Sequence, residues 1–398
     1  MSKSQTYIEL DDTYGAHNYH PLDVVVERAE GVWVYDVDGN KYLDCLAAYS
    51  AVNQGHCHPK ILEAAQAQMS RVTLTSRAFR NDQMGPFLKT LCDMTGYEMA
   101  LPMNTGAEAV ESAIKLIRKW GYQIKGIPQD KAEIIVCDGN FQGRTVTIIG
   151  FSSEDQYKED FGPFTPGFIN IPYGDTEALK AAINENTAAF MLEPIQGEGG
   201  VIVPPDGYLK EAYDICKENN VLFVADEIQT GFGRTGKLFA CDHEDVKADM
   251  TIIGKALSGG FYPVSGVLGS NEILGLLRPG DHGSTFGGNP LGAAIGLAAL
   301  KALDEEGMVS NSYELGEYFK GRLSRVESDH IKEVRGKGLF IGVELHGPAR
   351  RFCEALQDKG ILCKETHENV IRFAPPLVIN KDEIDWALSH IEPVLMAE

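Results

Sequence analysis

Lys255 sits in Thr251-Ile252-Ile253-Gly254-Lys255-Ala256-Leu257-Ser258-Gly259-Gly260, behind an apolar stretch and boxed by glycines. Those surroundings suit a desolvated amine better than a solubilising surface charge, and a desolvated amine is a nucleophile that forms Schiff bases with carbonyl compounds. Upstream, the strand-like run Val221-Leu222-Phe223-Val224-Ala225 ends in Asp226-Glu227. A lysine for an aldehyde and a carboxylate for a pyridine nitrogen are the anchors that a pyridine aldehyde needs. The carboxylate keeps the ring nitrogen protonated, since opposite charges in contact shift each other's pKa by roughly 1–3 units. Taken singly, Lys255 reads as an ordinary loop lysine and Asp226 equally well as a helix cap; their neighbours change the balance.

Asn104-Thr105-Gly106-Ala107-Glu108-Ala109 opens a helix whose apolar positions Val110, Ala113, Ile114 and Ile117 keep a helical period, with Thr105 suited to the N-cap. A small-residue helix start with free backbone N–H groups is a ready phosphate site, although most Thr-Gly starts only cap. Gly283-Ser284-Thr285-Phe286-Gly287-Gly288-Asn289-Pro290 offers further hydroxyls and glycines, or simply a turn before the next helix. Gly139-Asn140-Phe141-Gln142-Gly143-Arg144-Thr145 supplies an aromatic face with an arginine beside it, and Arg372 follows Val370-Ile371. Two arginines around one site would suit a dicarboxylate, whereas each alone is more often structural. His56-Cys57-His58 has no partner pair at ligand spacing, and adjacent side chains rarely converge on one ion, so no metal is expected.

The elements that must position these residues read as α/β. Residues 1–30 read as irregular, followed by a hairpin of Val32–Tyr35 and Lys41–Leu43 around Asp38-Gly39. From about 60 to 300, helical patterns alternate with the apolar runs Ile134–Cys137, Ala188–Leu192, Val221–Ala225, Met250–Ile253 and Val264–Leu268. Such alternation predicts a mostly parallel sheet between helices, with sites at the carboxyl ends of its strands, where Asp226 and Lys255 both fall. The last hundred residues, with a helix near 312–326 and the strands 338–345 and 370–373, read as a smaller α+β lobe. The expected division is 1–45 (segment and hairpin of the small lobe), 46–295 (large domain) and 296–398 (small domain).

The bulk numbers bound the function. In 398 residues, 43% hydrophobic and 23% charged, the net charge is −21, which argues against nucleic acid and anionic membrane surfaces. No stretch is long and apolar enough to span a bilayer. The polar start, free of a basic leader, and eight cysteines without a CxxC pair read as a cytoplasmic protein with reduced thiols.

Together the segments resemble the class III (ornithine/GABA-type) pyridoxal-phosphate aminotransferases almost end to end. The markers are Asn104-Thr105-Gly106, Leu192-Glu193-Pro194-Ile195-Gln196-Gly197-Glu198, Ala225-Asp226-Glu227-Ile228-Gln229-Thr230-Gly231, Gly254-Lys255-Ala256 and Ser284 to Pro290. Tyr14 to Pro21, Tyr49 to His56 and Ile371 to Leu377 are most similar to the branch that acts on ornithine. The resemblance implies a fold-type I enzyme with pyridoxal 5'-phosphate bound to Lys255, Asp226 on the ring nitrogen, Gln229 near the phenolic oxygen, and Phe141 and Ile228 on the ring faces. Thr105, Gly106 and Ala107 would meet the phosphate, with Thr285 and Ser284 reaching it from the partner subunit of a homodimer. Arg144 and Tyr19 would hold the α-amino-acid end of ornithine, and Tyr49 would favour ornithine over other ω-amines. Glu198 would cover Arg372 until 2-oxoglutarate arrives. The implied reaction moves ornithine's terminal amine to 2-oxoglutarate, giving glutamate 5-semialdehyde, which cyclises to pyrroline-5-carboxylate, and glutamate. The alternatives are N-acetylornithine or 4-aminobutyrate transamination and an aminomutase. Gln142 departs from the pattern, since relatives often carry His or Trp there.

Overall fold

A computed structural model describes residues 2–397. Its largest sheet has seven strands in the order Met99–Met103, Ser265–Gly269, Met250–Ile253, Leu222–Asp226, Thr187–Leu192, Glu133–Cys137 and Phe168–Ile171. Only Ser265–Gly269 runs against its neighbours. Every position of the four strands starting at Thr187, Leu222, Met250 and Ser265 is buried, which is why they read as unbroken apolar runs rather than alternations. Alternate side chains nevertheless serve opposite faces. Ile134, Val136, Leu222 and Val224 pack with the helix Gly106–Trp120, while Ile135, Cys137, Phe223 and Ala225 pack with the helix Tyr208–Glu218.

The five expected runs are strands and the hairpin forms, Tyr35 pairing with Lys41. Two strands of the large sheet, Met99–Met103 and Phe168–Ile171, were not expected; both lie at its edges with only partial burial, so their apolar signal is short. Residues 1–30 are more ordered than expected. They contain the helix Lys3–Tyr14 and the strand Val26–Glu30. The helix buries no residue, so it has no apolar stripe to announce it. Ser2 caps it by accepting from Gln5 N at 3.2 Å, and Asp38 accepts from Lys3 N at 3.0 Å.

A second, antiparallel sheet holds Ile331–Lys337, Phe340–Leu345, Val370–Phe373 and Lys364–Thr366. A third joins the two ends of the chain, Ile361–Leu362 pairing in parallel with Lys41–Asp44. That pairing supports our proposal that residues 1–45 and 296–398 share the small lobe beside 46–295, although the helix Pro290–Glu305 runs through the boundary unbroken. Arg234, 0% exposed, clamps three distant segments by donating to the carbonyls of Leu339 (2.8 Å) and Pro375 (2.7 Å) and to Asn53 Oδ1 (2.5 Å). Among the described residues no helix is long and apolar enough to cross a membrane.

Candidate active site

Asp226 is the last residue of its strand, and Lys255 follows the next strand after Gly254. Adjacent parallel strands ending on one rim bring them together, and both line a small cavity of ≈150 Å³. Lys255 has φ +43°, a left-handed conformation that strains any residue but glycine; such strain is stored at functional sites. Burial drives its amine below the ordinary lysine pKa, with Arg372 adding to the effect and Glu198 and Asp226 opposing it. Burial also raises Asp226 to about 6, although the Ile228 N–H (3.1 Å), the charge of Lys255 and the nearby Gln142 amide favour its ionised form. A second acid faces the same cavity. Glu193 is pushed to about 8 by burial and by Asp226, while accepting from Phe141 N (2.8 Å) and Gly197 N (3.3 Å). Glu227 turns away and binds the N–H groups of Ala240 and Cys241, both at 2.9 Å.

The helix beginning at Gly106 has the expected Thr105 cap, completed by Glu108 as a capping box. Thr105 Oγ1 accepts from Glu108 N (3.2 Å) and Glu108 accepts from Thr105 N (2.9 Å), while the N–H groups of Gly106 and Ala107 at the cavity wall take no protein partner. A Cβ on Gly106 would stand 3.0 Å from Ile228 Cδ1, so glycine keeps the cleft open between the helix start and the Ile228 side chain. Phe141 and Ile228 line the cavity with them. Gln142, 4% exposed, also lines it, and neither polar atom of its amide completes a hydrogen bond. Free phosphate donors, two apolar ring walls, a buried acid, an amine of lowered pKa and an orphaned amide fit pyridoxal phosphate as a donor set.

Outside this cavity, a vestibule of ≈850 Å³ is walled by Tyr19, Tyr49, Arg144 and Tyr157. Tyr49 stands in a left-handed turn of four consecutive non-glycine residues, Ala47 to Ser50, with φ from +47° to +68°. That conformation costs roughly 1–2 kcal/mol per residue. Asp44 helps hold the turn by accepting from Leu46 N and Ala47 N, both at 2.9 Å. Tyr49 thereby lies 4.9 Å from the Arg372 guanidinium. Arg372, 1% exposed, donates from Nη1 to Glu198 Oε1 at 2.7 Å and leaves Nε and Nη2 without partners. Burial would raise the Glu198 carboxyl, but Arg372, Lys255 and Gln229 together hold it below the ordinary range. Gln229 Nε2 donates to Glu198 Oε1 (3.2 Å) and to the Tyr49 carbonyl (3.3 Å).

Every expected site residue can be located. Ser284 Oγ accepts from Asn104 Nδ2 of its own chain at 2.9 Å, beside the capped helix start, and Thr285 is exposed. Tyr19 is 78% exposed at the vestibule mouth. His56 and His58 take different carboxylate partners, Asp44 at 2.7 Å and Glu306 at 3.1 Å. Sequence reasoning missed Tyr157, whose ring lies 3.6 Å from the Arg144 guanidinium and edge-on to Phe141 at 6.3 Å. No periodicity marks Tyr157; its only signal is a tyrosine in a polar loop. Glu193 belongs to the Leu192–Glu198 motif but carries no task there, and its place immediately after an apolar run is the available hint.

The profile of the family "Aminotransferase class-III" matches residues 14–395. An ornithine aminotransferase of Brevibacillus brevis is 61% identical over 99% of both chains, and one of Bacillus subtilis is 58% identical over 99% of this chain and 98% of its own. Among solved structures, the ornithine aminotransferase of Toxoplasma gondii, described with partial occupancy of pyridoxal phosphate at its active site, superimposes with a TM-score of 0.98. It is 45% identical, covering 99% of this chain and 94% of its own. An acetylornithine aminotransferase of Elizabethkingia anophelis superimposes with a TM-score of 0.91 at 48% identity over 99% of both chains.

Proposed function

The chain belongs to the class-III aminotransferase family, pyridoxal-phosphate enzymes, and from that premise we propose that it transfers the terminal amine of L-ornithine to 2-oxoglutarate. The products are glutamate 5-semialdehyde, which closes to pyrroline-5-carboxylate, and glutamate. Pyridoxal phosphate, when bound, supplies the carbonyl that accepts the amine and the electron sink that makes the substrate's carbon acidic. Lys255 holds it and then moves the proton at that carbon. Its lowered pKa leaves more of the amine in the free-base form that this work needs. Asp226 would keep the ring nitrogen protonated, Phe141 and Ile228 would flank the ring, Gln229 would serve its oxygen, and Thr105, Gly106 and Ala107 would hold the phosphate. Ser284 and Thr285 meet the phosphate of the partner's site, so the active assembly is a homodimer; a cytoplasmic location accords with this reading.

The observation that carries the substrate choice is the Arg372–Glu198 pair at 2.7 Å beneath Tyr49. An uncovered arginine would grip ornithine by its α-carboxylate and deliver the wrong amine. Glu198 neutralises Arg372 while Arg144 and Tyr19 hold ornithine's far end, and a dicarboxylate then displaces Glu198. The test mixes cofactor-loaded protein with L-ornithine, N-acetylornithine or 4-aminobutyrate and follows the cofactor's visible absorbance. Fast bleaching by ornithine, with the product trapped by o-aminobenzaldehyde, is expected. Faster reaction with N-acetylornithine would transfer the assignment to the activity named for the Elizabethkingia relative. Turnover without any added oxo acid would point to an aminomutase.

A further inference from the structure

The segment that carries Tyr19 into the vestibule is almost detached from the body of the molecule. Every residue from Asp11 to Pro21 is exposed. Apart from two bonds to the helix just before it, Gly15 N to the Asp11 carbonyl and His17 Nε2 to the Asp12 carbonyl (both 2.7 Å), the only hydrogen bonds from residues 15–21 to the rest of the fold, among the described residues, come from Arg350. It donates from Nη1 to the His20 carbonyl (3.2 Å) and from Nη2 to the Pro21 carbonyl (3.0 Å). Arg350 opens the helix Arg350–Gln357 and is itself fixed by Glu354 through Nε (2.7 Å) and by Glu365 (3.2 Å). Those two carboxylates raise its pKa against the desolvation that would lower it.

Glu365 belongs to the strand Lys364–Thr366, whose Thr366 hydroxyl donates to the Glu198 carbonyl at 2.5 Å. That strand pairs with Val370–Phe373, placing Lys364 opposite Arg372. One short strand thus connects the arginine that pins the Tyr19 segment to both members of the Glu198–Arg372 pair.

We propose that Arg350 is a positioning residue, a latch that fastens the Tyr19 segment over the vestibule and sets its distance from the Glu198–Arg372 gate. A planar guanidinium can serve two carbonyls and two carboxylates at once, a geometry that a lysine ammonium cannot reproduce. The latch touches neither ring nor reacting carbon, so its loss weakens the binding of ornithine's far end without impairing chemistry. The inference rests on the reading that Tyr19 contacts ornithine, and the experiment separates the two.

Cofactor-loaded wild type, Arg350→Ala, Arg350→Lys, Tyr19→Ala and the Arg350→Ala/Tyr19→Ala double variant are compared. KM for ornithine is expected to rise about tenfold in Arg350→Ala with kcat within about twofold, the pattern of lost uniform binding, and less in Arg350→Lys. The glutamate half-reaction, which uses Arg372, stays at the wild-type rate. In the double variant the two losses should be far from additive, because both act through one side chain. Limited chymotrypsin digestion reads the latch directly: cleavage after Tyr14 and Tyr19 accelerates in Arg350→Ala. Unchanged cleavage and unchanged KM in Arg350→Ala would overturn the latch. Faster cleavage with no effect of Tyr19→Ala would keep the latch and overturn the Tyr19 assignment. A fall in kcat for both half-reactions would mark Arg350 as merely structural and overturn the proposal.

Discussion

The small cavity and the vestibule solve different problems with different charges. Inside, Asp226 and Glu193 are buried and Lys255 half-buried, and desolvation disfavours the charged form of each, driving the amine down and both acids up. Outside, Arg144 stays in reach of solvent, steadied by the Tyr157 ring rather than by a carboxylate. Burial tunes where protons sit, which proton transfer requires; an exposed guanidinium suits the binding of an entering carboxylate. Arg372 stands between the two regimes, and its contrast with Arg234 is instructive. Both are fully buried, yet Arg234 is held by two carbonyls and Asn53, with burial taking its pKa down to about 9. Arg372 meets a single movable carboxylate and keeps two donors unpartnered. Arg234 leaves only Nε without a partner and ties three segments of the fold together, whereas Arg372 keeps both Nε and Nη2 free, as a group awaiting a ligand would.

The inner regime breaks first. Lys255→Ala should lower turnover by about 10⁴-fold, the upper range for loss of positioned acid–base catalysis, while Asp226 and the phosphate donors still retain the cofactor by equilibrium dialysis. Loss of less than about tenfold would mean that another base handles the proton. At the boundary, Glu198→Ala should raise the glutamate half-reaction relative to that of ornithine by about tenfold, equivalent to roughly 1.4 kcal/mol of discrimination. An unchanged ratio in stopped-flow half-reactions would remove Glu198 from the role of cover. In the outer regime, Tyr157→Leu should raise KM for ornithine by roughly twofold to thirtyfold and leave kcat alone, since a cation–π contact contributes about 0.5–2 kcal/mol. The same variant should leave the glutamate half-reaction, which uses Arg372, unaffected; equal losses in both half-reactions would deny Arg144 its selective task.

The same division explains what the sequence made legible. Strands buried on both faces must be apolar throughout, so their ends, and with them Asp226 and Lys255, could be located from composition alone. Thr105 announced its helix because a cap acts within three residues of itself. The vestibule is assembled from segments with no such local rule. Arg350 meets His20 across 330 positions, Tyr157 lies in a short 3₁₀ turn without a buried face, and the helix Lys3–Tyr14 exposes all its sides. Tyr19, Tyr49 and the Glu198–Arg372 pairing are legible only through the family resemblance, whereas Arg144 and Arg372 stand out singly by residue type. Glu193 falls between: its sequence position gave burial, but only the fold shows that no basic side chain bonds to it while Asp226 adds like charge.

Glu193 offers the subtlest test of the inner regime, through stability rather than rate. Its carboxyl titrates near 4.5 when unperturbed, as in the unfolded chain, and at about 8 in the fold. The folded state therefore binds the proton more tightly. The stabilisation linked to it is complete below pH 4.5 and is lost progressively as pH rises through about 8, after which both states are ionised and the loss stops. Glu193→Gln has no proton to lose. In cofactor-free protein, wild type should lose more Tm between pH 5 and 8.5 than the variant, by a few degrees, at roughly 2–4 °C per kcal/mol for mid-sized domains. Asp226 and Glu227, raised to about 6 and about 7, contribute to the same window in both proteins and so largely cancel in the comparison. The amide can still accept from Phe141 N or Gly197 N but cannot serve both with equal geometry, so the variant starts lower at pH 5 and the curves converge toward pH 8.5. Parallel curves would mean that Glu193 is solvated in solution and that the cavity is less enclosed than its walls imply.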